Sequence, residues 1–160
     1  ERYFFAAKKY KADIIVRITS DNPLTDPKLI DLIVKKIIKE KKEYVSNGLP
    51  NYPLGLGVEA FTYKTLKKIY NSAVSNFHKE HVTAYILDNK KKFKTTKLKS
   101  LNDFSKYRLT VDEPDDFKVI NFIFNYFKPD INFSFKKIVW LFKLFPEVFI
   151  LNKHIVQKRK

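Results

Sequence analysis

Hydrophobic spacing along the chain switches repeatedly between the strand and helix periods. Residues 13–19, Asp-Ile-Ile-Val-Arg-Ile-Thr, form a nearly continuous β-branched run, the pattern of a strand buried on both faces. A polar loop, 20–25, separates it from Asp26-Pro27, which predicts a helix cap with proline at the first helical position. Leu29, Ile30, Ile33, Ile37 and Ile38 then recur at helical spacing. Tyr44-Val45-Ser46 reads as a short second strand, so this stretch predicts a right-handed βαβ unit. All three glycines lie in the stretch 47–57, with two of the seven prolines. Beyond it the pattern predicts a strand at 58–62, a helix at 63–73, a short helix at 80–87 and a lysine-rich edge strand at 93–98. A buried strand is predicted at 107–111. Asp112-Glu-Pro-Asp-Asp116 opens a helix carrying Phe117, Ile120, Ile123, Phe124 and Phe127, and a second amphipathic helix covers 133–145, with Trp140 expected in the core.

Strands alternating with helices predict an α/β sandwich with a mostly parallel sheet, in which strands 13–19 and 107–111 are neighbours. In such sheets ligands bind beyond the carboxyl ends of the strands. Asp21, in Thr-Ser-Asp-Asn-Pro, and Asp112, in Thr-Val-Asp-Glu-Pro, each follow such an end. Two carboxylates ~5 Å apart repel by roughly 3 kcal/mol at an effective dielectric near 20. A hard cation between them converts that repulsion into binding, and Mg²⁺ commonly uses one or two carboxylates with substrate phosphates and water. Aspartate before proline is commonly a turn former or helix cap, and spacing alone favours that reading over a metal site.

The chain is 44% hydrophobic and 16% aromatic, which excludes a disordered polymer. Cysteine is absent, which excludes disulfides and Cys-zinc sites and fits a cytoplasmic location. Methionine is absent too, and residues 2–10 read as the tail of a helix already under way, so an N-terminal part is expected to be missing. The net charge of +15 invites a nucleic-acid or membrane partner. Its lysines are dispersed over different predicted elements, however, as solvated faces require, and neither partner is expected. The longest apolar stretch, 138–145, is interrupted by Lys143 and too short to span a bilayer.

Five segments carry a resemblance. Arg17-Ile-Thr-Ser-Asp-Asn-Pro-Leu-Thr-Asp-Pro27 resembles R-I-T-x-D-x-P-L-I-D-P, and Arg108-Leu-Thr-Val-Asp-Glu-Pro-Asp-Asp-Phe117 resembles R-x-T-V-D-x-P-E-D-F. Glu80-His-Val-Thr-Ala-Tyr-Ile86 is similar to E-H-V-T-P-Y-I. Ser46-Asn47 with Tyr52-Pro-Leu-Gly-Leu-Gly-Val-Glu59 resembles S-N followed by Y-P-x-G-L-D-V-E, and Pro146-Glu147 with residues 152–158 resembles P-E-L…I-N-x-x-I-x-Q-K. Together, and in this order, they resemble the cytidylyltransferases of the spore coat polysaccharide type, related to the acylneuraminate and 3-deoxy-manno-octulosonate enzymes.

The resemblance implies a Rossmann-like three-layer sandwich of the nucleotide-diphospho-sugar transferase type. Residues 1–128 would be the C-terminal portion of that domain and 129–160 a helical extension. It implies transfer of CMP from CTP to a sugar acid such as a nonulosonate, with release of pyrophosphate, in a full-length homodimer, and a fragment inactive by itself. It assigns Mg²⁺ to Asp21 and Asp112, which are thereby also the catalytic residues. Substrate contacts fall to Arg17, Asn47, Tyr52, Gly55, Glu59 and His81. One departure stands out: Gly57 occupies the position of the family's acid. Read from the residues, Arg17 and Arg108, placed in apolar strands, need partners whether or not they meet substrate. His81 and Glu59 fit structural roles as well, and Asp115 and Asp116 favour a helix N-terminus. Two rivals remain: a metal-dependent glycosyltransferase, although no D-x-D occurs, and a non-catalytic basic nucleic-acid-binding module.

Overall fold

The β-branched run becomes β1 (Ile14–Arg17), and three further strands join it: β2 (Tyr44–Ser46), β3 (Glu59–Thr62) and β4 (Thr95–Lys97). Their order is β1-β3-β2-β4. β3 lies between β1 and β2 and is antiparallel to both, with Arg17 and Ser46 each opposite Glu59. β4 pairs in parallel with β2. The computed structural model describes residues 1–47 and 51–157 of the chain.

The expected mostly parallel sheet is therefore corrected to a mixed one. β1 and β2 do run the same way, as a strand–helix–strand unit requires, but β3 inserts antiparallel between them. Nor does 107–111 join this sheet. That segment forms a single parallel bridge, Leu54 to Arg108, which satisfies a buried extended backbone without building a strand. β4 is the expected lysine-bearing edge strand.

Two compact units share the chain by interleaving: 1–17, 31–46 and 58–98 in the first, 18–30, 47–57 and 99–160 in the second. In the first, α1 (Arg2–Lys9), α3 (Tyr63–Ser72), α4 (Asn76–Glu80) and α5 (Val82–Asp88) accompany the sheet. Thr62 ends β3 and caps α3, its Oγ1 accepting from the Thr65 amide at 3.1 Å. The core joins Tyr44 and Phe61 of the sheet to Ala7, Leu66, Ile69, Val82, Ile86 and Phe93. Each such large side chain fully buried contributes roughly 1.5–3 kcal/mol. The helix expected at 80–87 is α5, starting at Val82, and a further short helix, α4, precedes it, the two separated at His81 (φ −100°, ψ 72°), where the backbone leaves the helical region.

In the second unit, α6 (Pro114–Phe127) and α7 (Phe135–Leu144) share a core of Leu24, Leu56, Leu109, Val119, Ile123, Ile138 and Leu141 among others. The apolar stripe of α6 is the expected one at Ile120, Ile123, Phe124 and Phe127, with Val119 joining it in place of Phe117. Val119, Ile120 and Ile123 are buried, while Phe117 is exposed. Trp140 is likewise exposed, touching Tyr126 edge-on, which corrects its expected core position. Asp26 caps the start of α2 (Pro27–Lys39), its Oδ1 accepting from the Lys28 amide, and its Oδ2 accepts from the Phe135 amide opening α7, both at 2.8 Å. No helix among the described residues is long and apolar enough to cross a membrane.

Candidate functional site

Asp21 sits in the turn after β1. Its carbonyl accepts from the Val111 amide at 2.9 Å and from the Thr110 hydroxyl at 3.1 Å. These bonds lay the turn along residues 110–111, immediately before Asp112, so the two Asp-x-Pro motifs adjoin within the second unit. The Asp21 side chain is unusual. Its Oδ1 is buried with no hydrogen-bond partner, the one such side-chain atom among the described residues. Leaving a buried acceptor unpaired costs roughly 1–3 kcal/mol, and more when it is charged.

Asp112 is half-exposed, and its Oδ2 accepts from Arg108 Nη2 at 2.9 Å. Arg108 is itself buried and turns its guanidinium fork on Asp116, with Nε to Oδ1 at 2.7 Å and Nη2 to Oδ2 at 2.8 Å. Asp116 is fully buried. It also accepts from Asn152 Nδ2 at 2.8 Å and from the amides of Asp112 and Glu113 at 3.1 Å. Burial works to raise its pKa, but the bonds from Arg108 and Asn152 outweigh that and hold it below the ordinary carboxylate value. The bonds to Asp116 raise the Arg108 pKa in turn. The helix-capping role expected of Asp116 is present, in a capping box with Glu113, but as one part of a larger network.

The glycine-rich segment belongs to the same unit, with residues 48–50 outside the described residues. Gly55 has φ +98°, and a Cβ there would lie 2.2 Å from the Leu109 carbonyl carbon and 2.3 Å from the Thr110 nitrogen. Only glycine lets the segment pass so close to residues 109–110. Asn47, fully buried, braces it by donating Nδ2 to the Leu56 carbonyl at 2.8 Å. Tyr52 is buried and tilted against Phe135 at 6.3 Å. A Cβ at Gly57 would meet nothing within 4 Å.

Arg17, Glu59 and His81 belong to the first unit. Arg17 Nη1 donates to Glu59 Oε2 at 2.6 Å, and the same carboxylate accepts from the Tyr44 hydroxyl at 2.5 Å and the Thr83 hydroxyl at 3.0 Å. Burial lowers the Arg17 pKa, yet the charge and hydrogen bond of Glu59 leave it raised. Burial and the Glu59 charge together push the Tyr44 phenol well above its ordinary value. His81 stands at the break between α4 and α5, its amide donating to the Phe77 carbonyl at 2.7 Å and its ring 4.9 Å from that of Phe77. In the Glu80–Ile86 motif it is Thr83 that reaches Glu59.

Sequence reasoning missed Tyr44 and Thr83 at Glu59, and Asn152 and Gln157 at Arg108. A usable signal existed for each: a polar group in an apolar run has to bond internally. Tyr44 opens a buried strand, and Asn152 and Gln157 lie in a tail motif that the resemblance had flagged. Among the described residues no group of three or more His, Cys, Asp or Glu side chains is placed to hold a metal, so any cation here would rest on the aspartate pair.

A cytidylyltransferase family model matches residues 1–138. The chain is 36% identical over 160 residues to MJ1063 of Methanocaldococcus jannaschii, covering 99% of this chain and 65% of that protein. It is 28% identical over 139 residues to the spore coat polysaccharide biosynthesis protein SpsF of Bacillus subtilis, covering 84% of this chain and 57% of SpsF. Its structure matches that of a cytidylyltransferase from Leptospira borgpetersenii with a TM-score of 0.89 and 31% identity, over 99% of this chain and 66% of the other. The chain thus spans 57–66% of the length of these relatives.

Proposed function

The chain belongs to the cytidylyltransferase family, and on that premise we propose that the protein is a nucleotidyltransferase moving CMP from CTP to a sugar, with Asp21 and Asp112 holding Mg²⁺. A sugar hydroxyl attacks the α-phosphorus of CTP, the bond to the β-phosphate breaks, pyrophosphate leaves, and the hydroxyl proton passes to solvent. The likeness to SpsF supports a sugar destined for surface polysaccharide, and a sugar acid of the nonulosonate type is the substrate we assign.

The observation that carries the metal assignment is the buried, partnerless Oδ1 of Asp21 beside the segment leading into Asp112. A carboxylate oxygen withdrawn from water and given no donor suits a hard cation, and two carboxylates are a donor set that Mg²⁺ accepts alongside phosphates. Bound there, the ion would neutralise charge developing on the transferred phosphoryl group. The chain's own residues do the positioning. The bonds from Val111 and Thr110 to the Asp21 carbonyl fix its turn, and Arg108 fixes Asp112. Asn47, Tyr52 and Gly55 shape the loop beside residues 109–110. Arg17 and Glu59 satisfy each other in the first unit, where His81 is the contact we assign to substrate.

The test is made on the full-length protein by CTP-dependent pyrophosphate release. Asp21→Asn and Asp112→Asn are each expected to lose about two to four orders of magnitude in turnover with the fold retained, since each ~1.4 kcal/mol of lost transition-state stabilisation is tenfold. Neutralising Lys90, Lys91 and Lys92 together leaves turnover unchanged, because solvated lysines are screened at physiological salt. Full turnover in either aspartate variant overturns the assignment. Polyanion binding abolished by the lysine triple would instead favour a nucleic-acid module.

A further inference from the structure

The network around Arg108 contains more than a helix cap needs. One accepted amide bond suffices to cap α6, and Asp26 caps its helices with nothing but its two oxygens. Asp116 accepts from Arg108 Nε and Nη2, from Asn152 Nδ2 and from two amides, while fully buried. Asn152 is buried as well and donates a second time, to the Arg108 carbonyl at 3.0 Å. Arg108 Nη1 donates to Gln157 Oε1. Two residues 44 and 49 positions away in sequence therefore converge on Arg108, Asn152 at its carbonyl and Gln157 at its guanidinium. Replacing a buried ion pair by well-packed apolar residues is often neutral or stabilising, so net stability is a weak reason for building one.

The network's output is directed at one residue. Asp112 is gripped at both ends: its amide donates to Asp116 Oδ2, and its own Oδ2 accepts from Arg108 Nη2. Arg108 cannot swing away, because the fork is closed on Asp116 and Asn152 holds both partners. The Asp112 carboxylate is thereby fixed by one oxygen, with Oδ1 left outside the network, and the guanidinium offsets part of its charge. We propose that Arg108, Asp116 and Asn152 are positioning residues that fix the Asp112 carboxylate in the orientation its cation requires. The C-terminal segment carrying Asn152 and Gln157 is in this way a working part of the site. The proposal rests on the reading of Asp112 as a cation-binding carboxylate. Its physical basis is that a ligand held in place forfeits no side-chain freedom on binding, whereas a free carboxylate does.

The experiment measures Mn²⁺ binding to the full-length protein, from the electron paramagnetic resonance of the free ion, together with kcat, the KM for CTP and Tm. Arg108→Lys keeps the charge and destroys the fork, and Asn152→Ala removes no charge at all. Both are expected to weaken Mn²⁺ binding and lower kcat by roughly ten- to a hundredfold, the usual effect of losing an outer-shell partner, with the KM for CTP little changed. Phe133→Leu, a core change away from the network, serves as the control: it lowers Tm and leaves Mn²⁺ binding alone. If Arg108→Lys fails to fold, Asn152→Ala carries the same test. Mn²⁺ binding that survives in both network variants, or that falls equally in the control, overturns the proposal while Asp112→Asn still abolishes binding. Mn²⁺ binding intact in Asp112→Asn overturns the cation reading itself, and this proposal with it.

Discussion

The two units each contain an arginine paired with a carboxylate, and the two pairs are built differently. In the first, Arg17 and Glu59 remain partly solvated, with side chains 21% and 17% exposed, and the tyrosine and threonine hydroxyls complete the set around Glu59. In the second, Arg108 and Asp116 are 8% and 0% exposed, and every oxygen of Asp116 is bonded more than once. In the same unit, Asp21 buries an oxygen with no donor. The contrast teaches where to look for chemistry. Both oxygens of Glu59 and of Asp116 accept hydrogen bonds from the chain itself. Asp21 keeps one buried oxygen without a donor, and Asp112 is held through one oxygen only.

Breaking the more buried pair is expected to have the largest effect. Asp116→Ala leaves the buried Arg108 with only the more exposed Asp112 as countercharge and removes the acceptor of two amides, so it should cost about 3–5 kcal/mol, read as a fall in the denaturant midpoint. The corresponding change in the first unit is smaller. Tyr44→Phe removes one of three donors from Glu59, leaving Arg17 and Thr83, and should cost about 1–2 kcal/mol at neutral pH. It also carries a pH signature. The folded-state pKa of Tyr44 is raised, so its contribution to stability is full below the unfolded value near 10 and falls as pH climbs beyond it. Between about pH 10 and 11.5 the wild type should therefore lose more stability than Tyr44→Phe, a difference that equilibrium unfolding at several pH values measures directly. A flat difference would mean that Tyr44 ionises normally and that the phenol is not the buried donor described here. Smallest of all is Gly57→Asp, where the added Cβ meets nothing within 4 Å. Stability should stay within about 0.5 kcal/mol of wild type, as for surface changes generally. A loss of several kcal/mol would show that the site is closed to the acid its family carries there.

Much of this was legible from single residues. The β-branched run at 13–19, the cap at Asp26 and the turn motifs around Asp21 and Asp112 are local, and local chemistry decided them: side-chain stiffness, proline's fixed φ, an oxygen in reach of a free amide. The motifs also sufficed for the family, because their order along the chain is itself information. The strand order could not be read the same way. That β3 would enter antiparallel between β1 and β2, and that 107–111 would make one bridge rather than a strand, depends on which distant segments satisfy which backbone groups. A β period is the same in either direction. Phe117 and Trp140 look like core residues in composition, yet the angle at which each helix docks turned them outward. The site shows the same division. Sequence alone determined which residues carry charge in apolar surroundings and so need partners, Arg17 and Arg108 foremost. Only the tertiary structure decided that Glu59 and Asp116 would be those partners, that Asn152 would reach back 44 residues to Arg108, and that Asp21 would be left without one. A buried charge states in advance that it must be paired, but the partner is whatever the folded chain brings within about 3 Å.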